Sequence, residues 1–211
     1  MKRPLILIFA ILLADQVLKI WIKLSFPLGQ EINLIGDWCR LHFIENKGMA
    51  FGMAFGGEAG KIVLTSLRIV ASVLIFIYLQ KLVRKRESKW LIYGFALIFC
   101  GAVGNVIDSL FYGVLFSEST IFAPAVFMPD GGGYAPMFLG KVVDMFYFPL
   151  IDTEVFGHRV SFFNAIFNVA DASITTGVVL LMIYFLFLHK NKPSKAEIAT
   201  ENSEKPIEIN E

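Results

Sequence analysis

Long apolar stretches, each broken by a few charged or amide residues, alternate along this chain with polar and aromatic connections. Crossing the hydrocarbon core of a bilayer takes about 20 residues of helix, and four stretches reach that length. They run from about Pro4 to Leu24, from Ile62 to Val83, from Trp90 to about Leu110 and from about Ala165 to Leu188. The first contains Asp15, Lys19 and Lys23, and no small-x-small site follows it. It is therefore expected to remain as a helix rather than to be removed as a signal peptide.

Between the spans the period changes. Trp38-Cys39-Arg40-Leu41-His42-Phe43-Ile44 mixes aromatic, β-branched and polar residues in partial alternation, as does Lys141 to Phe148. Both read as half-buried strands, and a small sheet lying on the membrane surface would use them together. Pro129-Asp130-Gly131-Gly132-Gly133-Tyr134 is a loop tip. Residues 1–190 are expected to form one membrane domain. The polar stretch over residues 191–211 reads as a disordered tail.

Composition supports the membrane reading: 56% of the 211 residues are hydrophobic, against about 45–50% in a soluble domain. The net charge of +1 and the lack of a basic stripe with interleaved aromatics exclude an evident nucleic-acid partner. Cys39, read as a loop residue, and Cys100, inside an apolar run, are expected to stay unpaired. Charge also orients the spans. Lys2 and Arg3 precede the first, Lys81, Arg84, Lys85, Arg86 and Lys89 crowd the link between the second and third, and His189, Lys190 and Lys192 follow the fourth. Both termini are thus expected in the cytoplasm. Residues 25–61 and 111–163 should face outward.

A carboxylate is costly at membrane depth and is a functional candidate by default. Asp15 lies inside the first span beside Gln16, with Lys19 one turn on, a spacing that also allows a simple i, i+4 ion pair. Asn105 and Asp108 end the third span three residues apart, on one helical face. The neighbouring glycines suit close helix packing, but a buried amide and acid need partners. Asn168 and Asp171 repeat the spacing at the fourth span. Capping accounts for one of them but not easily for both, because that helix is expected to begin near Asn164. Asp144 sits inside an aromatic strand, whereas Asp152 and Glu154 read as solvated loop residues. Glu45-Asn46-Lys47-Gly48-Met49-Ala50-Phe51-Gly52, taken alone, reads as a turn.

The sequence contains no HExxH, GxSxG or GxxxxGK[ST] motif, and His42, His158 and His189 are scattered. No metal site or cofactor is expected. What remains is chemistry by carboxylates, in which two brought together share one proton, one as acid and one as base. A proton-coupled transporter using Asp15, Asp108 and Asp171 as a relay, or a non-catalytic membrane scaffold, are the rival classes.

Five segments together resemble lipoprotein signal peptidase, the type II signal peptidase family of bacteria. They are Asp15-Gln16 with Lys19, Asn46 to Gly52, Gly101 to Asp108, Val142-Val143-Asp144-Met145-Phe146 and Phe167-Asn168-Val169-Ala170-Asp171. The resemblance implies a mainly α membrane protein, four transmembrane helices with a small extracytoplasmic β-cradle. It implies an aspartyl endopeptidase that cuts diacylglyceryl-modified prolipoproteins just before the lipidated cysteine. Asp144 and Asp171 fall on the family's catalytic pair, and Asp15, Asn46, Gly48, Asn105, Asp108 and Asn168 on or beside site-lining positions. The implied setting is the bacterial inner membrane, with lipidated prolipoproteins and membrane lipids as partners and the active site near the outer face. A monomer is expected.

Two departures stand out. The family usually has arginine directly after the aspartate matching Asp108, where this chain has Ser109. A long insertion, about Leu115 to Gly140, also separates Gly113 from Asp144. Aromatic and glycine-containing, it reads either as a decorative insertion packed on the outer surface or as a lid resting at the interface beside the dyad, with Gly131, Gly132 and Gly133 giving it freedom to move.

Overall fold

The computed structural model describes residues 2–47, 57–149, 151–155, 158–162 and 164–188, with the backbone alone over 151–155 and 158–162. Helix α1 (Lys2–Ser25) leads to strands β1 (Glu31–Ile35) and β2 (Cys39–Asn46). Next come α2 (Gly57–Arg84) and α3 (Lys89–Ile107), which runs through a π-helical turn over Asp108–Tyr112 into the short α4 (Gly113–Leu115). Strands β3 (Val142–Tyr147), β4 (Ile151–Val155), β5 (His158–Phe162) and β6 (Ile166–Phe167) precede α5 (Val169–Ile183), which ends in a π-helical turn over Tyr184–Leu188.

Four helices are long and apolar enough to span: Lys2–Ser25, Gly57–Arg84, Lys89–Leu115 and Val169–Leu188. At 1.5 Å per residue the 24 residues of α1 extend about 36 Å. The bundle is apolar outside and polar within. On α1 the residues Ile8, Asp15, Lys19, Ile22 and Lys23 face inward, while Phe9, Leu13 and Val17 on the other side are exposed. That suits a lipid environment, where the outer surface is hydrocarbon and polar groups must find partners inside.

Helix α3 is the centre, packed against α1, α2 and α5. Its glycines allow this. A Cβ at Gly101 would stand 2.2 Å from the carbonyl oxygen of Ala170, so the α3–α5 crossing depends on a missing side chain, as the small-residue reading anticipates.

A four-stranded antiparallel sheet in the order β1-β2-β3-β6 covers one end of the bundle, and β4–β5 form a separate hairpin. The two strands expected from sequence pair with each other, Ile44 opposite Asp144 and Asn46 opposite Val142. Their inner face, Leu41, Phe43, Val143 and Met145, joins Ile22, Phe26, Tyr112 and Phe116 in one buried cluster.

Three expectations are corrected. Cys39 opens strand β2 and is buried, not in a loop, though both cysteines are free. The fourth helix begins at Val169, not near Asn164, because residues 166–167 are drawn into the sheet as β6. Asp152 and Glu154 lie on strand β4, not in a loop. The insertion is tied down along its length. Phe116 bridges Phe127, the Leu28 N–H donates to Thr120, the Ala125 N–H to Lys23, and the Gly140 N–H to Ser109. A Cβ at Gly140 would stand 2.1 Å from the Asp108 carbonyl oxygen, and one at Gly133 equally close to that of Gly113. Glycine at these two positions serves close approach rather than hinge motion. Gly48 and the tail over 191–211 lie outside the described residues.

Candidate active site

Asp144 points inward from β3, and Asp171 stands in the first turn of α5. Three asparagines connect them. Asn168 donates through Nδ2 to Asp144 Oδ1 at 2.6 Å, while its own Oδ1 accepts the Asp171 backbone N–H at 2.9 Å. Asn168 thus caps α5 and touches the first carboxylate at once, so capping explains part of the residue and not all of it. Asn105 on α3 donates to Asp171 Oδ1 at 2.8 Å, and Asn46 on β2 donates to Asp144 Oδ2 at 3.3 Å. Four separate elements therefore converge on two carboxyl groups.

Burial pushes the Asp144 carboxyl up from the ordinary range to about 7, and the neighbouring charge of Asp171 adds to the rise. Hydrogen bonds from Asn46 and Asn168 oppose it without reversing it.

Beneath the pair lies an ionic cluster. Lys19 stands 2.9 Å from Asp15, 2.9 Å from Asp108 and 2.9 Å from Asn105 Oδ1. An ammonium has three protons to donate, and here each has an acceptor. Gln16 bridges Asp15 and Asp108 through Nε2 and accepts from the Tyr112 hydroxyl. The remaining acceptor positions reach backbone on each side. Asp15 Oδ1 takes the N–H of Ala170, the residue before Asp171, at 2.8 Å. Asp108 Oδ2 takes the N–H of Val143, the residue before Asp144, at 3.3 Å. One lysine therefore joins two carboxylates that each hold the backbone beside one member of the pair.

Of the residues singled out from sequence, the structure brings Asn46, Asn105, Asn168, Asp144 and Asp171 into one hydrogen-bonded group. Asp15 and Asp108 lie behind it, and the Asp15–Lys19 pair at i, i+4 exists as one part of a larger cluster. Ser109 does not reach the pair; its hydroxyl donates to the Asn105 carbonyl oxygen at 3.0 Å.

Other residues escaped sequence reasoning. Arg68 on α2 lies within the electrostatic reach of Asp171, Asp144 and Asp108. Its signal was present, an arginine deep inside an apolar span. Toward the sheet, buried Lys23 pairs with Glu45, which Lys141 also contacts at 3.1 Å. Burial works to raise the Glu45 carboxyl, but Lys23 and Lys141 outweigh it and hold it below its ordinary range. Among the described residues no group of three or more His, Cys, Asp or Glu side chains is placed to hold a metal ion.

Residues 7–187 match the family model described as signal peptidase (SPase) II. The chain belongs to the signal peptidase II family. A lipoprotein signal peptidase of Porphyromonas gingivalis (strain ATCC 33277) is 43% identical over 211 residues, covering 94% of this chain and 91% of that protein. One from Amoebophilus asiaticus is 36% identical over 179 residues, covering 80% and 71%. A solved bacterial membrane enzyme, determined by the in meso method at 2.3 Å resolution, shares the fold with a TM-score of 0.59 at 24% identity, covering 92% of this chain and 96% of that one. Family membership makes this multi-pass bacterial membrane protein a peptidase.

Proposed function

We propose that this chain is a membrane aspartyl endopeptidase that removes signal peptides from diacylglyceryl-modified prolipoproteins, cutting before the lipidated cysteine by means of Asp144 and Asp171. The observation that carries the reading is the shared asparagine lattice, which holds two carboxyl groups together while one of them is pushed up to about 7. Such a pair can hold one proton between them near neutral pH. Asp171 takes a proton from a water placed between the two, and that water attacks the scissile carbonyl carbon. Asp144, protonated, gives its proton to the carbonyl oxygen as charge develops; Asp171 then passes the proton it took from water to the leaving amine, and Asp144 recovers its own as the tetrahedral intermediate collapses. Asn46, Asn105 and Asn168 keep both groups in register, and the Lys19 cluster steadies the two backbones from below.

The Lys and Arg distribution supports a topology with both termini in the cytoplasm and the sheet on the outer side. The pair then works toward the outer side, where a substrate can present its peptide while its acyl chains stay in the bilayer. The relatives' names, lipoprotein signal peptidase, support this substrate class. A transmembrane proton relay is disfavoured, because Asp15, Asp108 and Asp171 gather in one cluster and do not extend through the bundle.

The direct test incubates the purified protein with a diacylated prolipoprotein and maps the cut by mass spectrometry. The expected product begins at the lipidated cysteine. Cleavage elsewhere, or only of unlipidated substrate, would overturn the reading.

A further inference from the structure

A second polar feature lies apart from the aspartate pair. A cavity of about 490 Å³ opens between the outer end of α2, the ends of β2 and β3, and the insertion, with Lys47, Glu58, Lys61, Glu118, Tyr134 and Lys141 among its lining residues. One of its cations has acidic company: Lys141 contacts Glu118 and Glu45. Lys61 differs. Its side chain is 7% exposed, it lines the cavity, and its Nζ has no hydrogen-bond partner among the described residues. Glu58, one turn earlier on the same helix, is exposed, and no ion pair joins the two among the described residues. Residues 48–56, between the Lys47 and Gly57 edges of the cavity, include no acid in their sequence. A buried ammonium without a counter-ion is costly, and an anion entering this cavity would meet it.

Position indicates which anion. Lys61, Thr65 and Arg68 follow one another along the protein-facing side of α2, while Ile62, Val63 and Leu67 are exposed on its other side. Thr65 donates to the Phe138 carbonyl oxygen, which fixes this face against the insertion. Arg68 lies in the field of the aspartate pair. Lys61 is seven residues nearer the sheet end, about 10 Å along the helix. Extended chain covers about 3.3–3.6 Å per residue, so about three residues bridge that distance. The cavity lies inside the protein rather than on the lipid-facing side of α2, which favours a peptide over a lipid head group.

The geometry points to a carboxylate subsite: Lys61 receives an Asp or Glu side chain of the substrate two to four residues into the mature polypeptide, counting the lipidated cysteine as the first. This rests on the peptidase reading above, since it needs a chain running outward from a bond cut at Asp144 and Asp171. Lys61 would then set specificity without touching the reacting atoms, and Lys47 would add to the positive potential at the mouth.

The test uses the full-length protein and two synthetic diacylglyceryl prolipopeptides that differ only in Asp or Asn at the third mature residue. The wild type is expected to favour the acidic peptide by about tenfold in kcat/KM, the low end of what a hydrogen bond to a charged group supplies. Lys61→Gln should bring that ratio to about one, and Lys61→Arg should keep most of it. Reading a ratio within each variant separates specificity from any general loss of folding. An equal ratio in wild type and Lys61→Gln would overturn the subsite while leaving the peptidase reading intact. Cleavage of neither peptide by wild type would overturn both. A wild-type ratio near one, with phosphatidylglycerol retained by wild type but lost from Lys61→Gln in native mass spectrometry, would assign the cavity to a lipid head group instead.

Discussion

Asp15 with Asp108 and Asp144 with Asp171 are two carboxylate pairs in one hydrogen-bonded assembly, yet their neighbours differ in kind. The first pair flanks the ammonium of Lys19 at 2.9 Å on each side. The second is gripped by amides from Asn46, Asn105 and Asn168. A cation at hydrogen-bond distance ties a carboxylate into a fixed ion pair. An amide orients it without placing a counter-charge beside it. On the proposed mechanism, the contrast teaches that the type of partner, rather than the acid itself, decides whether an aspartate supports the structure or does chemistry.

Removing the movable proton should have the largest effect. Asp144→Asn and Asp171→Asn are each expected to lower kcat by about 10⁴-fold, the upper range for acid–base catalysis, while the helical circular dichroism signal persists. Near-normal turnover in either folded variant would break the contrast. Next in size, Lys19→Met should destabilise the protein by about 3–5 kcal/mol, because it leaves two buried carboxylates without their cation. Thermal unfolding in detergent reads this out, and an unchanged Tm would mean the cluster is not structural. Asn168→Ala keeps every charge but loosens one carboxylate; a fall of about 10²-fold in kcat/KM is expected from misplacement alone.

The smallest effect is a pH dependence. Asp144 is raised to about 7, so its protonated form stabilises the fold below the ordinary carboxylate range, and that contribution is lost as pH rises through about 7. The same ionisation removes the acid, so kcat/KM should fall on the alkaline side of about 7 by no more than about tenfold per pH unit. A flat profile from pH 6 to 9 would assign the proton elsewhere.

The four spans were legible because 20-residue apolar runs are hard to hide, β2 because one of its faces is buried, and β3 because β-branched and aromatic residues crowd it. Strand β1 was overlooked although Glu31-Ile32-Asn33-Leu34 alternates, and every one of its positions is exposed. The start of α5 was misplaced because Ile166 and Phe167 look like more span, although their backbone pairs with Tyr147 and Phe146. Individual acids stood out against apolar surroundings. Their division into two pairs did not, because Lys19 meets Asp15 four residues away but Asp108 from a different helix. Arg68 was overlooked despite an equally anomalous setting.

From Asp15 to the sheet end the bundle holds all of its described buried ion pairs, whereas the other half is filled by Ile8, Leu79, Ala96, Cys100, Leu82, Leu91 and Tyr184. Electrically, that half is an insulating plug. In the proposed topology, with the termini in the cytoplasm, most of the transmembrane voltage would drop across it. The aspartate pair would then equilibrate with protons of the outer compartment alone, so acidity outside the cell membrane, rather than cytoplasmic pH or membrane potential, would set how much of the enzyme is poised to cut.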